Sequence, residues 1–189
     1  SEIVLPMLVL IAVFFFGMAR LREENPNAPT IRVALVQPSI PQTMIWDTTE
    51  NSNRFQQVIE LSDQALTNRA DVLIWPEAAL PEFNEASFAA MTNLVRSHRV
   101  WMIFGADDVQ EKPNATANDR YDYYNAAHLF DPDGRYMAVY RKQKLVIFGE
   151  YVPLVRWLPF IKWFTPITGG FTAGKKPVPF ELDRWGGGI

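Results

Sequence analysis

The chain has 189 residues, enough for one domain with a substantial core, and a formal charge of −3 from 18 Lys and Arg against 21 Asp and Glu. That balance offers no basic surface for nucleic acid. The sequence has no cysteine, which excludes disulfides, thiolate metal sites and a cysteine nucleophile within these residues. Its two histidines, His98 and His128, are too few for an imidazole-rich metal centre.

Ile3 to Ala19 is a run of about 17 residues without a charge, near the short end of what a bilayer-spanning helix needs. No basic segment precedes it and no clear small-residue cleavage site follows, which argues against a secretory signal. Residues 1–20 are therefore predicted as a transmembrane helix, with the chain opening partway through a hydrophobic segment. Arg20 and Arg22 would by the positive-inside rule put that end in the cytoplasm, yet sequence physics alone leaves the side of the membrane undecided. Residues 21–30, with Asn25-Pro26-Asn27-Ala28-Pro29, read as a helix-hostile linker. The domain proper is expected over residues 31–189.

Ile31 to Gln37 alternates and then turns apolar, as a strand entering a sheet does. Asn51 to Ala70 carries Phe55, Val58, Ile59 and Leu66 at helical spacing. Val72-Leu73-Ile74 is a short buried strand stopped by Pro76, and Glu77 is left where the strand ends and a loop begins. Phe88 to Arg99 is a second amphipathic helix, and Val100 to Gly105 another buried strand. Tyr123 to Phe130, the turn Asp131-Pro132-Asp133-Gly134 and Arg135 to Tyr140 form a hairpin. This order, β-α-β-α-β followed by a hairpin, points to a layered α/β domain. Val155 to Ile167, rich in Trp, Phe, Leu and Ile, reads as an apolar arm lying at a membrane interface.

Three features resemble functional motifs without being sites. Gly169 and Gly174-Lys175 match most of a phosphate-binding loop, but Lys176 replaces the required Ser or Thr. Pro177 and Pro179 forbid the helix that should follow, so a loop feeding a strand over Val178 to Leu182 is expected. His98 is read as a dipole partner at a helix C-terminus, and His128 as a packed strand side chain.

A carboxylate at Glu77 and an ammonium at Lys142, delivered to one cleft, suit a base and an oxyanion stabiliser. Trp-Pro-Glu-Ala-Ala-Leu-Pro at 75–81, Tyr-Arg-Lys at 140–142 and Leu-Val-Ile-Phe-Gly-Glu-Tyr-Val-Pro at 145–153 together resemble the nitrilase (carbon–nitrogen hydrolase) superfamily. Val33 to Pro38 and Tyr124-Asn125-Ala126-Ala127 support the resemblance, which runs from Ile31 onward. The apolar helix, Ile40-Pro41-Gln42 with Trp46-Asp47, the phrase at 148–153 and the apolar arm resemble its apolipoprotein N-acyltransferase branch.

The resemblance implies a four-layer α-β-β-α sandwich, incomplete here, preceded by one transmembrane helix. It implies a Glu-Lys-Cys triad in which Glu77 is the general base and Lys142 the oxyanion-stabilising lysine. Glu150 is implied as a second acidic residue that orients the lysine or the nucleophile, Trp46 as an aromatic at the substrate cleft, and Lys144 as peripheral. The family's nucleophilic Cys follows a segment like Gly186-Gly187-Gly188-Ile189, so Cys is the expected next residue of the parent chain. The implied reaction moves a phospholipid acyl chain through a Cys thioester to the N-terminal amine of a diacylated lipoprotein. It needs no metal or organic cofactor, and it implies a bacterial inner-membrane protein with its catalytic domain facing the periplasm. A membrane-tethered amidase using the same triad, and a non-catalytic lipid- or lipoprotein-binding module, are the alternatives.

Overall fold

The computed structural model describes residues 2–22, 30–41, 48–77, 79–80, 83–116, 119–152, 170–182 and 187–188. Trp46, Gly186, Ile189 and the arm at 155–167 lie outside them. The chain divides into two compact units, residues 1–30 and 31–189.

The first unit holds α1, Val4–Arg22, a helix of 19 residues with mean hydropathy 2.3 and apolar side chains on every face. At 1.5 Å per residue it is about 28 Å long, close to the thickness of a bilayer's hydrocarbon core. By length and composition it can cross a membrane. Arg20 and Arg22 in its last turn complement the negative end of the helix dipole.

The second unit is built on a mixed sheet. Its strands are β1 (Val33–Leu35), β2 (Val72–Ile74), β3 (Trp101–Thr116), β4 (Asp119–Phe130) and β5 (Tyr136–Arg141), lying side by side in that order. β1, β2 and β3 run parallel, while β3–β4 and β4–β5 are antiparallel. The parallel connections run through α2 (Asn51–Leu66) and α3 (Glu85–His98), as a parallel pair requires.

The continuous apolar runs of β2 and β3 are explained by burial on both faces. Leu73, Met102, Phe104 and Phe130 point to one face and pack with Val58, Met91 and Val95 of the two helices. Val72, Trp101 and Leu129 point to the other and pack with Phe180 and Leu182. Leu182 belongs to β6 (Glu181–Leu182), which pairs with β7 (Gly187–Gly188) in a small second sheet. The described residues thus supply a helical layer, the main sheet and part of a second sheet; a fourth, helical layer does not occur among them.

α3 begins three residues earlier than its apolar periodicity indicates, because Asn84 and Ser87 form a reciprocal capping box. It ends at Arg99 in the left-handed conformation, φ 53°. The expected hairpin turn is present: Asp131 Oδ1 accepts from the Asp133 and Arg135 amides, and Gly134 takes φ 73°. β3 and β4 are much longer than their apolar cores. Their ladder runs without a break from Met102–Phe130 to Glu111–Tyr121, through polar residues that a burial-based pattern does not reveal. The strand expected over Val178 to Leu182 shrinks to Glu181–Leu182, since Pro177 and Pro179 have no N–H to give a ladder.

Both histidines have structural partners. His98, in the last turn of α3, lies 2.8 Å from Asp63 Oδ1. His128 stacks on Phe104 and shares a hydrogen bond with the Tyr136 hydroxyl, and burial holds its pKa below the usual value.

Candidate functional site

Glu77 is positioned by the way β2 stops. The Trp75 amide donates to Ile103 O at 2.9 Å, the last bond of that ladder, and Pro76 then has no donor. The Trp75 indole N–H donates to Ser62 Oγ at 2.8 Å, which fixes the strand end against α2. Glu77 follows in a turn, beyond the C-terminal end of the parallel strands, where open α/β sheets place ligand sites. Its side chain is 63% exposed.

Lys142 is the first residue after β5. Its amide donates to Asn125 O at 2.8 Å and its carbonyl accepts from Gly174 N at 2.8 Å, so the backbone is held from both sides. Its Nζ lies 2.9 Å from Glu150 Oε1 and 3.4 Å from Glu77 Oε1. Glu150 is buried at the end of a tight turn, with Oε2 accepting from the Val146 amide at 2.8 Å. That turn holds Phe148 at φ 60°, an uncommon conformation for a bulky residue.

Asn125 joins these groups. Its Nδ2 donates to Glu150 Oε1 at 2.5 Å and also to Glu77 Oε1. In the sequence Asn125 belongs only to the supporting phrase Tyr124-Asn125-Ala126-Ala127, which assigns it no role. The available signal was an amide within an apolar strand, where Asn is disfavoured, on the same face as Ala127 and Leu129. Glu77, Lys142 and Glu150 are therefore brought together, with Asn125 as the bridge between the two carboxylates. Lys144 is exposed. Among the described residues no group of three or more His, Asp or Glu is placed to hold a metal ion.

The electrostatics keep the charges in place. Hydrogen bonding to Glu150 raises the Lys142 pKa; partial burial opposes the rise and Glu77 adds to it. Burial alone would push the Glu150 carboxyl up, but the Val146 amide, Asn125 and Lys142 together hold it below its usual value. Lys142 is thus a fixed cation suited to stabilising an oxyanion, and Glu77 is the carboxylate open to solvent.

These shifts set a pH window. The Glu150 contribution is present above the ordinary carboxyl value of 4.5 and is lost as pH falls through its lower folded-state value. The Lys142 contribution is present below 10.5 and is lost as pH rises through its higher folded-state value. Melting temperature measured against pH is expected to be flat from neutrality up to 10.5; on the acid side the buried His128 begins the loss below 6.5 and Glu150 adds to it below 4.5, so a maximum confined to mildly acid pH would contradict the pairing.

Gly174 has a specific steric reason. A Cβ there would overlap the Arg141 carbonyl, so only glycine lets this segment reach Lys142 O. Gly174→Ala is expected to destabilise the fold by ~1–3 kcal/mol, read as a lower denaturant midpoint with an unchanged slope. An unaltered midpoint would show that the close approach is dispensable.

A profile of the carbon–nitrogen hydrolase family matches residues 32–180. The chain belongs to that family. Among its relatives, the apolipoprotein N-acyltransferase of Rickettsia prowazekii is 34% identical over 158 residues, covering 82% of this chain and 31% of that protein. The apolipoprotein N-acyltransferase of Geobacter metallireducens is 30% identical over 188 residues, 97% of this chain and 35% of that protein. This carbon–nitrogen hydrolase chain thus spans about a third of the length of the curated relatives it matches. In fold it is similar to a cysteine-to-alanine mutant of the amidase from Nesterenkonia sp. AN1 in complex with butyramide. That match has a TM-score of 0.52 and 18% identity, covering 86% of this chain and 54% of that one. The amidase belongs to the nitrilase superfamily, so the α/β fold expected from the sequence is the nitrilase-like one.

Proposed function

We propose that residues 31–189 are the N-terminal part of the catalytic domain of a longer acyltransferase. In this reading the enzyme moves an acyl chain from a phospholipid to the N-terminal amine of a diacylated lipoprotein. The observation that carries it is the Glu77–Asn125–Lys142–Glu150 cluster, found in a family member whose relatives are named apolipoprotein N-acyltransferase. Glu77 takes the proton from a cysteine thiol supplied outside these residues, since the thiolate is the nucleophile. Lys142 stabilises the oxyanion as the thiolate adds to the ester carbonyl. Lysophospholipid leaves, and the amine of the acceptor then takes the acyl group from the thioester. Glu150 orients Lys142.

The helix Val4–Arg22 supports a membrane location, which both substrates require. We place the protein in the bacterial inner membrane with this domain in the periplasm.

The test is an assay of the full-length enzyme with phospholipid and a diacylated lipopeptide. Acyl transfer to the peptide amine is the expected result. Ammonia released from small amides, without lipid acyl transfer, would instead make it a membrane-tethered amidase. Lipopeptide binding with neither reaction would make it a binding module.

A further inference from the structure

On the opposite face of the sheet from the Glu77 cluster lies a cavity of about 270 Å³ lined by Gln110, Tyr124, Val139, Arg141, Lys175, Lys176 and Val178. Strand alternation fixes the face. Arg141 is paired in the ladder with Ala126, which is paired in turn with Ala106 of the helix-covered core, whereas Lys142 follows on the other side. We propose that this cavity is an anion site that takes a phosphate ester, either free or as a lipid headgroup.

Three observations carry it. The first is charge. Arg141 is neutralised by Asp108 at 2.6 Å, but Lys175 and Lys176 have no ion-pair partner among the described residues, so the lining carries surplus positive charge in a chain of net charge −3. The second is geometry. The Arg141 guanidinium is held over the Tyr124 ring, its Cζ 4.0 Å from the ring centre, with its Nε on Asp108 and its Nη1 on Gln110 Oε1 at 2.6 Å. Two of its five N–H donors are engaged in these bonds, and the remaining fork suits a tetrahedral oxyanion.

The third is rigidity. The strap carrying both lysines is pinned just before them, by Thr172 N to Tyr123 O at 2.7 Å, Thr172 Oγ1 to Asp122 Oδ1 at 2.9 Å, and Gly174 N to Lys142 O. Beyond them Phe180 is buried on the other face. The volume is below that of pockets for drug-sized ligands, which fits a phosphoryl group rather than a whole lipid. This is not a phosphate-binding loop of the nucleotide type, because no helix follows Lys176 and the donors are side chains. The inference is independent of the acyl-transfer reading.

The test uses the full-length protein in nonionic detergent, with amide resonances of Gly174, Lys175 and Lys176 and the Arg141 Nε–H as reporters. One arm titrates sn-glycerol 3-phosphate; the other adds phosphatidylglycerol to the micelles. Saturable shifts at these groups are expected, with affinity at least ~tenfold weaker in K175Q/K176Q. Both lysines are exposed, so this variant is expected to keep the wild-type circular dichroism spectrum. Saturation by the soluble ester assigns a free phosphate ester, and saturation by the lipid alone assigns a headgroup. No saturable shift in either arm, or the same affinity in K175Q/K176Q, overturns the proposal.

Discussion

For the acyltransferase proposed above, Glu77→Gln is expected to lower acyl transfer by the full-length enzyme by ~10²–10⁴-fold, the range a positioned general base contributes, while leaving the fold intact. The two effects separate because of where the side chain sits. Glu77 is largely exposed, and its contacts are Asn125 Nδ2 and the 3.4 Å approach of Lys142. Glutamine keeps an oxygen to accept from Asn125 but cannot take a proton from a thiol. The discriminating measurement is formation of the acyl-thioester from phospholipid in a single turnover, alongside a denaturant midpoint. A variant slowed only a few-fold would remove Glu77 from the role of base. A variant slowed to the same extent but strongly destabilised would place it among structural residues instead.

Much of this site is legible in the sequence, for a local reason. Glu77 stands out because Val72-Leu73-Ile74 is a burial-driven run and Pro76 ends it, so the position of the carboxylate follows from chain chemistry. Lys142 and Glu150 stand out through the phrases around them, at 140–142 and 148–153. Asn125 carries no such local signal, because its importance is tertiary. Only the β3–β4–β5 register brings its amide between two carboxylates that lie 48 and 25 residues away. Gly174 looks like part of a phosphate-loop motif for the same reason, since what it avoids is the carbonyl of Arg141, a residue distant in sequence. The fold follows the same division. Strands buried on both faces announce themselves, whereas the outer half of the β3–β4 hairpin pairs through polar residues and leaves no hydrophobic period to read.

Lys142→Met should remove the proposed oxyanion stabiliser and cost ~10²–10³-fold in acyl transfer, and it should also change how the protein responds to acid. Methionine retains much of the side-chain volume, so packing changes little. The two carboxylates are then left with Asn125 between them and no cation. Glu150 keeps its bonds from the Val146 amide and Asn125 but loses the Nζ contact at 2.9 Å, while the burial that pushes its pKa up remains. Its folded-state pKa therefore moves up toward or beyond the ordinary carboxyl value. The stability that Glu150 contributes at neutral pH shrinks, and acid unfolding begins at a higher pH than in the wild type. Lys142→Arg separates the two roles. It restores a cation beside Glu150 and is expected to bring the acid midpoint back, but a planar fork cannot place charge where the ammonium did, so acyl transfer stays low. Acid titrations of both variants, followed by circular dichroism, read the first effect, and thioester formation reads the second. An acid midpoint that does not move in Lys142→Met would mean that Val146 and Asn125 alone hold the Glu150 charge, leaving Lys142 to the chemistry.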